Sequence, residues 1–311
     1  MCSTLNVVFN GLILQAIWGS VFSSLLDPRT ASARTAKVNE NKYCYSCVKI
    51  DNICYNHSYL FELPAHFGDH PVVERLGIMK STNVLYYTFE PKFSNVEYSK
   101  VGFVSLNYTF HGVISGWQPF NFGPFDINQE ERKVYLGGTD GIWFVEDMNY
   151  FPTYFSVKSN LITNVVVKDH VYFTTLFRKG IFKYVNGNLH IHLGDKWVHN
   201  FVLDAVDNIV YLNDSGLYIS LYSSNQEDVK LSNKDWITGL TADGKGTVYA
   251  WHVDGIYKVT VGNSPSEYTL KRVTGIAPDA MTFDESNNII YSIRKNLYKL
   301  TKVATNKCFG R

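Results

Sequence analysis

The feature that most constrains this chain is an internal repeat. Val134-Tyr135 leads to Gly141-Ile142-Trp143, Val171-Tyr172 to Gly180-Ile181-Phe182, and Val210-Tyr211 to Gly216-Leu217-Tyr218. The pattern continues with Val248-Tyr249 before Gly255-Ile256-Tyr257, and Ile290-Tyr291 before Asn296-Leu297-Tyr298. A looser copy pairs Leu85-Tyr86 with Gly102-Phe103-Val104. The glycine-type positions 102, 141, 180, 216, 255 and 296 are 39, 39, 36, 39 and 41 residues apart. Each copy reads as a short apolar strand ending near an Asp-Asn-Gly turn, then the Val-Tyr strand, a hairpin, the Gly-Ile-Tyr strand and a more polar outer strand. Glycine suits a positive φ where the hairpin enters its third strand, and Asn296 is the expected substitute in the last copy. About 39 residues per four-stranded unit predicts a blade, and six blades predict an all-β, six-bladed β-propeller over residues 43–311.

Ring closure follows from a missing piece. The last copy has strands near 280–284, 288–293 and 296–301, after which no outer strand remains. The strand-like Ser58–Leu63 precedes the first copy's inner strand near 74–80 and has no other assignment. It is expected to complete the last blade.

Composition sets the class. Hydrophobic residues are 45% and charged residues 18%, with 21 Tyr, 20 Phe and 6 Trp, a balance that favours strands and a large core. Lys plus Arg is 29 against 28 Asp plus Glu, so nothing points to nucleic acid. Residues 1–24 hold no charged side chain and read as a secretory signal peptide, with a flexible leader over 25–42. No membrane association is expected once the signal is removed. Cys2 would leave with the signal, and Cys44, Cys47, Cys54 and Cys308 remain as an even disulfide set of open connectivity. Cys44-Tyr-Ser-Cys47 also has redox or zinc spacing, but no second such pair follows. Asn56, Asn107 and Asn213 begin glycosylation sequons.

Propeller ligands are expected where loops enter the innermost strands. Those loops, at 69–76, 115–126, 159–164, 195–201, 233–239 and 275–281, carry Trp117, Phe120, Phe122, Trp197, His199 and Trp236. Aromatic walls with few charges suit a flat small molecule, held without a covalent bond or cofactor, with Asn164, His199 and Asp279 as orienting groups. For any single tryptophan, packing between blades is the simpler reading; three on equivalent loops bring binding level with it. The same rim would also suit a protein partner. His190 and His192 alternate along an outer strand and, with His199, have the residue type of a metal site, although such a pair is commonly a solvated edge. Gly244-Lys-Gly246-Thr reads as a hairpin turn, not a nucleotide cradle.

Two resemblances follow. Pro278-Asp279-Ala280-Met281-Thr282-Phe283-Asp284 resembles a blade of the gluconolactonase and senescence-marker propellers. That likeness implies an axial divalent metal, calcium by its oxygen ligands, held here by Glu74, Asn164 and Asp279 for lactone hydrolysis. Ala280 stands where that family has glycine, and the blade order of the three ligands differs. Over roughly 43–308 the chain also resembles the insect ommochrome-binding proteins, through the cysteine cluster, Leu136-Gly-Gly-Thr-Asp-Gly-Ile-Trp143 and the six-fold repeat. This second resemblance implies a non-enzymatic, secreted haemolymph carrier of a planar, tryptophan-derived pigment.

Overall fold

A computed structural model of the chain describes residues 48–303, apart from 52, 70, 93–98, 117–120, 148, 159, 223–226, 234–236 and 263. The expected signal, the leader, Cys2, Cys44, Cys47 and Cys308 lie outside the described residues, as do Trp117, Phe120 and Trp236.

The described residues form 25 strands in six sheets and one 3-10 turn, Pro265–Glu267. It opens with β1 (Val48–Ile50) and β2 (Ile53–Glu62). The first blade is β3 (Val73–Met79), β4 (Val84–Phe89), β5 (Val101–Ser105) and β6 (His111–Val113), and the second is β7 (Phe125–Asn128), β8 (Lys133–Gly138), β9 (Gly141–Glu146) and β10 (Asn149–Ser156). The third is β11 (Ile162–Val167), β12 (Val171–Thr175), β13 (Arg178–Val185) and β14 (Asn188–His192). The fourth is β15 (Asn200–Leu203), β16 (Ile209–Asn213), β17 (Gly216–Ser220) and β18 (Val229–Ser232). The fifth is β19 (Gly239–Ala242), β20 (Val248–His252), β21 (Gly255–Thr260) and β22 (Thr269–Thr274). The last begins with β23 (Ala280–Phe283), β24 (Ile289–Ile293) and β25 (Asn296–Lys302).

The first five blades are antiparallel meanders, and the innermost strands β3, β7, β11, β15, β19 and β23 meet in cyclic order around one axis. The expected closure is present: β2 lies beside β25 in antiparallel register, with Ser58 opposite Lys299 and Phe61 opposite Leu297. β1 then adds a fifth strand to that sheet. Ser58 Oγ donates to the Lys299 carbonyl at 3.3 Å, and His57 Nε2 and the Tyr291 hydroxyl share a hydrogen bond at 2.8 Å.

The Val-Tyr pair of each repeat divides its side chains between two blade interfaces, because strand neighbours point to opposite faces. Val134 packs against the first blade and Tyr135 against the third; Val171 packs against the second and Tyr172 against the fourth. The aspartates that end inner strands lock the next turn. Asp204 Oδ1 accepts from the amides of Val206 and Asn208, both at 2.9 Å, and Asp243 Oδ1 accepts from Lys245 at 2.8 Å and Thr247 at 2.9 Å. Gly141, Gly180, Gly216 and Gly255 have the expected positive φ, at 91°, 95°, 130° and 145°. The last blade differs: its left-handed residue is Arg294 (φ 54°), inside the hairpin between Ile293 and Asn296, so the role expected of Asn296 moves to the turn. Gly102 also departs from the pattern. It sits within β5, where an added Cβ would lie 2.4 Å from the Tyr87 ring, so that position needs glycine for space.

Candidate functional site

The ring has two faces. On the entrance face the chain enters each innermost strand; on the turn face that strand reverses into the second. The innermost strands enclose an axial cavity of about 520 Å³, within the size range of small-molecule sites. Its walls are the aliphatic faces of these strands, including Ile127, Val166, Val202, Leu240 and Met281. Toward the turn face it is bounded by Lys80, Gln129, Lys168, Ala205, Gly244 and Lys245, and toward the entrance face by Arg75 and Trp251.

Arg75, third residue of β3, is half-buried and lines the cavity. Its Nη1 donates to Asn164 Oδ1 at 2.6 Å, and Asn164 Nδ2 donates to Asn200 Oδ1 at 3.0 Å. Side chains of the first, third and fourth blades are thus tied together at the axis. The guanidinium carbon also lies 5.9 Å from the Phe125 ring centroid. Burial pulls the Arg75 pKa down and Asp126 opposes it; a guanidinium nevertheless stays charged. Asp126 is pushed up by burial, against Arg75 and two amides. Its Oδ1 accepts from Ile127 N at 2.9 Å and its Oδ2 from Val167 N at 2.7 Å.

Trp251 is 3% exposed and lies over Gly239, its cross-strand partner; a Cβ on Gly239 would fall 2.0 Å from the indole. The indole Nε1 donates to the Asp279 carbonyl at 2.9 Å. The glycine in β19 therefore makes the space that lets an indole from the second strand reach the axis.

The residues expected from sequence are distributed differently. Asn164 is buried and bonded to Arg75. Asp279 is half-buried, which raises its carboxyl, while the Arg294 amide donates to that carboxylate. Trp197 is 44% exposed with Lys179 Nζ 5.9 Å from its ring centroid, and His199 is bonded to Asp214 at 2.6 Å. Phe122 is half-buried, and Glu74 is solvent-accessible although crowding by protein raises its carboxyl. None of these residues lines the cavity. Among the described residues no group of three or more His, Cys, Asp or Glu is arranged to hold a metal ion. His190 lies on the exposed side of β14, and burial lowers the His192 pKa. Asn56 and Asn107 are exposed, whereas Asn213 Oδ1 accepts from both the amide and the hydroxyl of Ser215.

Arg75 and Trp251 are the cavity-lining groups that motif reading passes over. Each has a sequence trace: a lone cation inside an innermost strand, and a glycine placed opposite a tryptophan.

Six sheets around an axial cavity define a six-bladed β-propeller with room for a small ligand. No protein-family model matches the chain. It is 24% identical over 237 residues to the ommochrome-binding protein of Manduca sexta, which covers 73% of this chain and 81% of the relative, in keeping with the resemblance read from the sequence. In fold it is similar to a gluconolactonase from Xanthomonas campestris, with a TM-score of 0.61 at 10% identity over 82% of this chain and 92% of that one. The WD40 β-propeller domain of Doa1 superposes with a TM-score of 0.54 at 12% identity, over 82% of this chain and 99% of the domain. A catalytically inactive virginiamycin B lyase from Staphylococcus aureus gives 0.52 at 10% identity, over 80% and 100%. Among the described residues no helix is long and apolar enough to cross a membrane.

Proposed function

We propose that this chain is a secreted carrier that binds a planar aromatic pigment of the ommochrome type without covalent attachment, released to the haemolymph after loss of its signal segment. The observation that carries the reading is the match to the Manduca sexta ommochrome-binding protein over most of both chains. The axial cavity supports it by size and by its aliphatic and indole walls. Pairing among Cys44, Cys47, Cys54 and Cys308 would suit an oxidising, extracellular setting. Titration with xanthommatin, following tryptophan fluorescence and the pigment's own absorbance, tests the proposal. Saturable quenching with a shifted pigment spectrum is expected; no quenching with an unchanged spectrum overturns it.

The second reading is metal-dependent lactone hydrolysis, suggested by the Pro278–Asp284 stretch. The present geometry weighs against it, because Asn164 is committed to a guanidinium and Asp279 to its own hairpin. A divalent cation at Asn164 would face the Arg75 charge. Calcium-dependent lactone turnover lost in Asp279→Ala would establish this reading in place of the first.

A further inference from the structure

We infer that the axial cavity reads an anion: it takes a flat organic acid, with the carboxylate against Arg75 and the ring along Trp251 and the aliphatic walls. The flat-ring part rests on the carrier reading above; the anion part rests on the charges alone.

Four cations and three carboxylates line the cavity, and they are not used alike. All three carboxylates are committed to locking backbone. Asp126 holds the amides of Ile127 and Val167, and Asp204 holds those of Val206 and Asn208 together with the Asn208 side chain at 2.7 Å. Asp243 holds Lys245 and Thr247, and the Asn287 side chain at 3.2 Å. Of the cations, only Lys168 is similarly consumed, by the Asp204 and Ala205 carbonyls and by Asp207 at 2.5 Å. Among the described residues the side chains of Lys80 and Lys245 make no hydrogen bond or ion pair. Lys80 Nζ stands 3.9 Å from the place of a Cβ on Gly244, across the mouth of the cavity.

Arg75 decides the matter. Its one hydrogen bond among the described residues goes to an amide oxygen, and it has no carboxylate at ion-pair distance. A half-buried guanidinium that lines the cavity with most donors unspent by protein is open to completion by an anion. Its planar fork matches a carboxylate with two parallel N–H bonds. Arg75 lies at the far end of the cavity from Lys80 and Lys245, so an acid would pass two free lysines before reaching the fork. The indole of Trp251, 3% exposed, borders the same end, so an aromatic acid seated at the fork would meet it there.

The experiment is isothermal titration of the full chain with quinoline-2-carboxylate and, separately, its methyl ester. The acid is expected to bind about tenfold to a hundredfold more tightly than the ester, the range for a charge-assisted pair. Added NaCl should weaken the acid and leave the ester unchanged. Arg75→Gln should abolish the difference between the two. Lys245→Glu, on an exposed turn, should weaken only the acid by several-fold, and it serves where Arg75→Gln does not fold. Equal affinity for acid and ester on the native chain, or no binding of either, overturns the inference. Xanthommatin run in parallel separates the two proposals. If it binds Arg75→Gln as well as the native chain, the anion site fails and the carrier stands. If it fails to bind while the acid binds through Arg75, the carrier fails and the anion site stands.

Discussion

At the residue scale the most informative pair is Gly239 and Trp251. The glycine adopts ordinary strand geometry; its role is to leave room for the indole. Gly239→Ala should therefore push the indole off the Asp279 carbonyl, at about 1–3 kcal/mol as for other overpacked cores. Thermal unfolding should show the loss, with a red-shifted tryptophan emission. An unchanged transition would mean that the indole repacks without cost. This pair also shows how far the sequence reveals a site. The Gly-Ile-Tyr glycines are recognisable because they recur, whereas Gly239 acts once, through a register that only strand pairing creates. Arg75 was hidden for a similar reason. Its neighbour Glu74 fits a metal-ligand pattern, while the importance of Arg75 comes from Asn164, 89 positions away. The expected rim aromatics fared unevenly. Trp197 and Phe122 lie away from the cavity, while Trp117, Phe120 and Trp236 lie outside the described residues.

At the element scale, strands were legible because they repeat, and the closing strand because one copy lacked its fourth. Removing residues up to Glu62 should uncover β25 and the Tyr291 and Tyr298 rings that His57 packs against. An unpaired edge of this kind invites association. Size-exclusion chromatography should show oligomers or aggregate, and the unfolding transition should broaden. A monomer with the native midpoint would contradict the closing role. A finer probe is Asp51, in the turn between β1 and β2, whose carboxylate binds Lys258 of the fifth blade at 2.7 Å. The hydrogen bond from Lys258 is the main cause that holds its pKa below the usual carboxylate value, and burial opposes it. The stabilisation is thus present above about pH 4 and lost as pH falls through the depressed folded value. Asp51→Asn keeps a side chain that tolerates the turn's φ of 46°. It should lower stability by at most about 1 kcal/mol at pH 7, since the pair is partly exposed. In urea unfolding, the gap between variant and native chain should close as pH falls below the ordinary carboxylate range.

At the scale of the whole molecule, the cavity is a property of the ring and of no single blade. Its lining comes from all six innermost strands, so no local window of sequence contains it. Motif reading favoured the entrance face, where aromatic residues cluster in the loops. The free cations mark the turn face instead, where each inner strand ends in residues that look like ordinary turn formers. The two faces are complementary rather than rival: one carries exposed apolar groups such as Trp197, the other an electrostatic approach to the axis.

The pairing of β2 with β25 ties positions 241 apart, Ser58 to Lys299. During synthesis, β2 emerges long before β25, the strand it must join. The far edge of β2 stays unpaired while the intervening blades assemble, and the ring can shut only once β25 has been made. Contacts of such separation slow folding, so a ribosome stalled late in this chain would release an open horseshoe with two sticky ends.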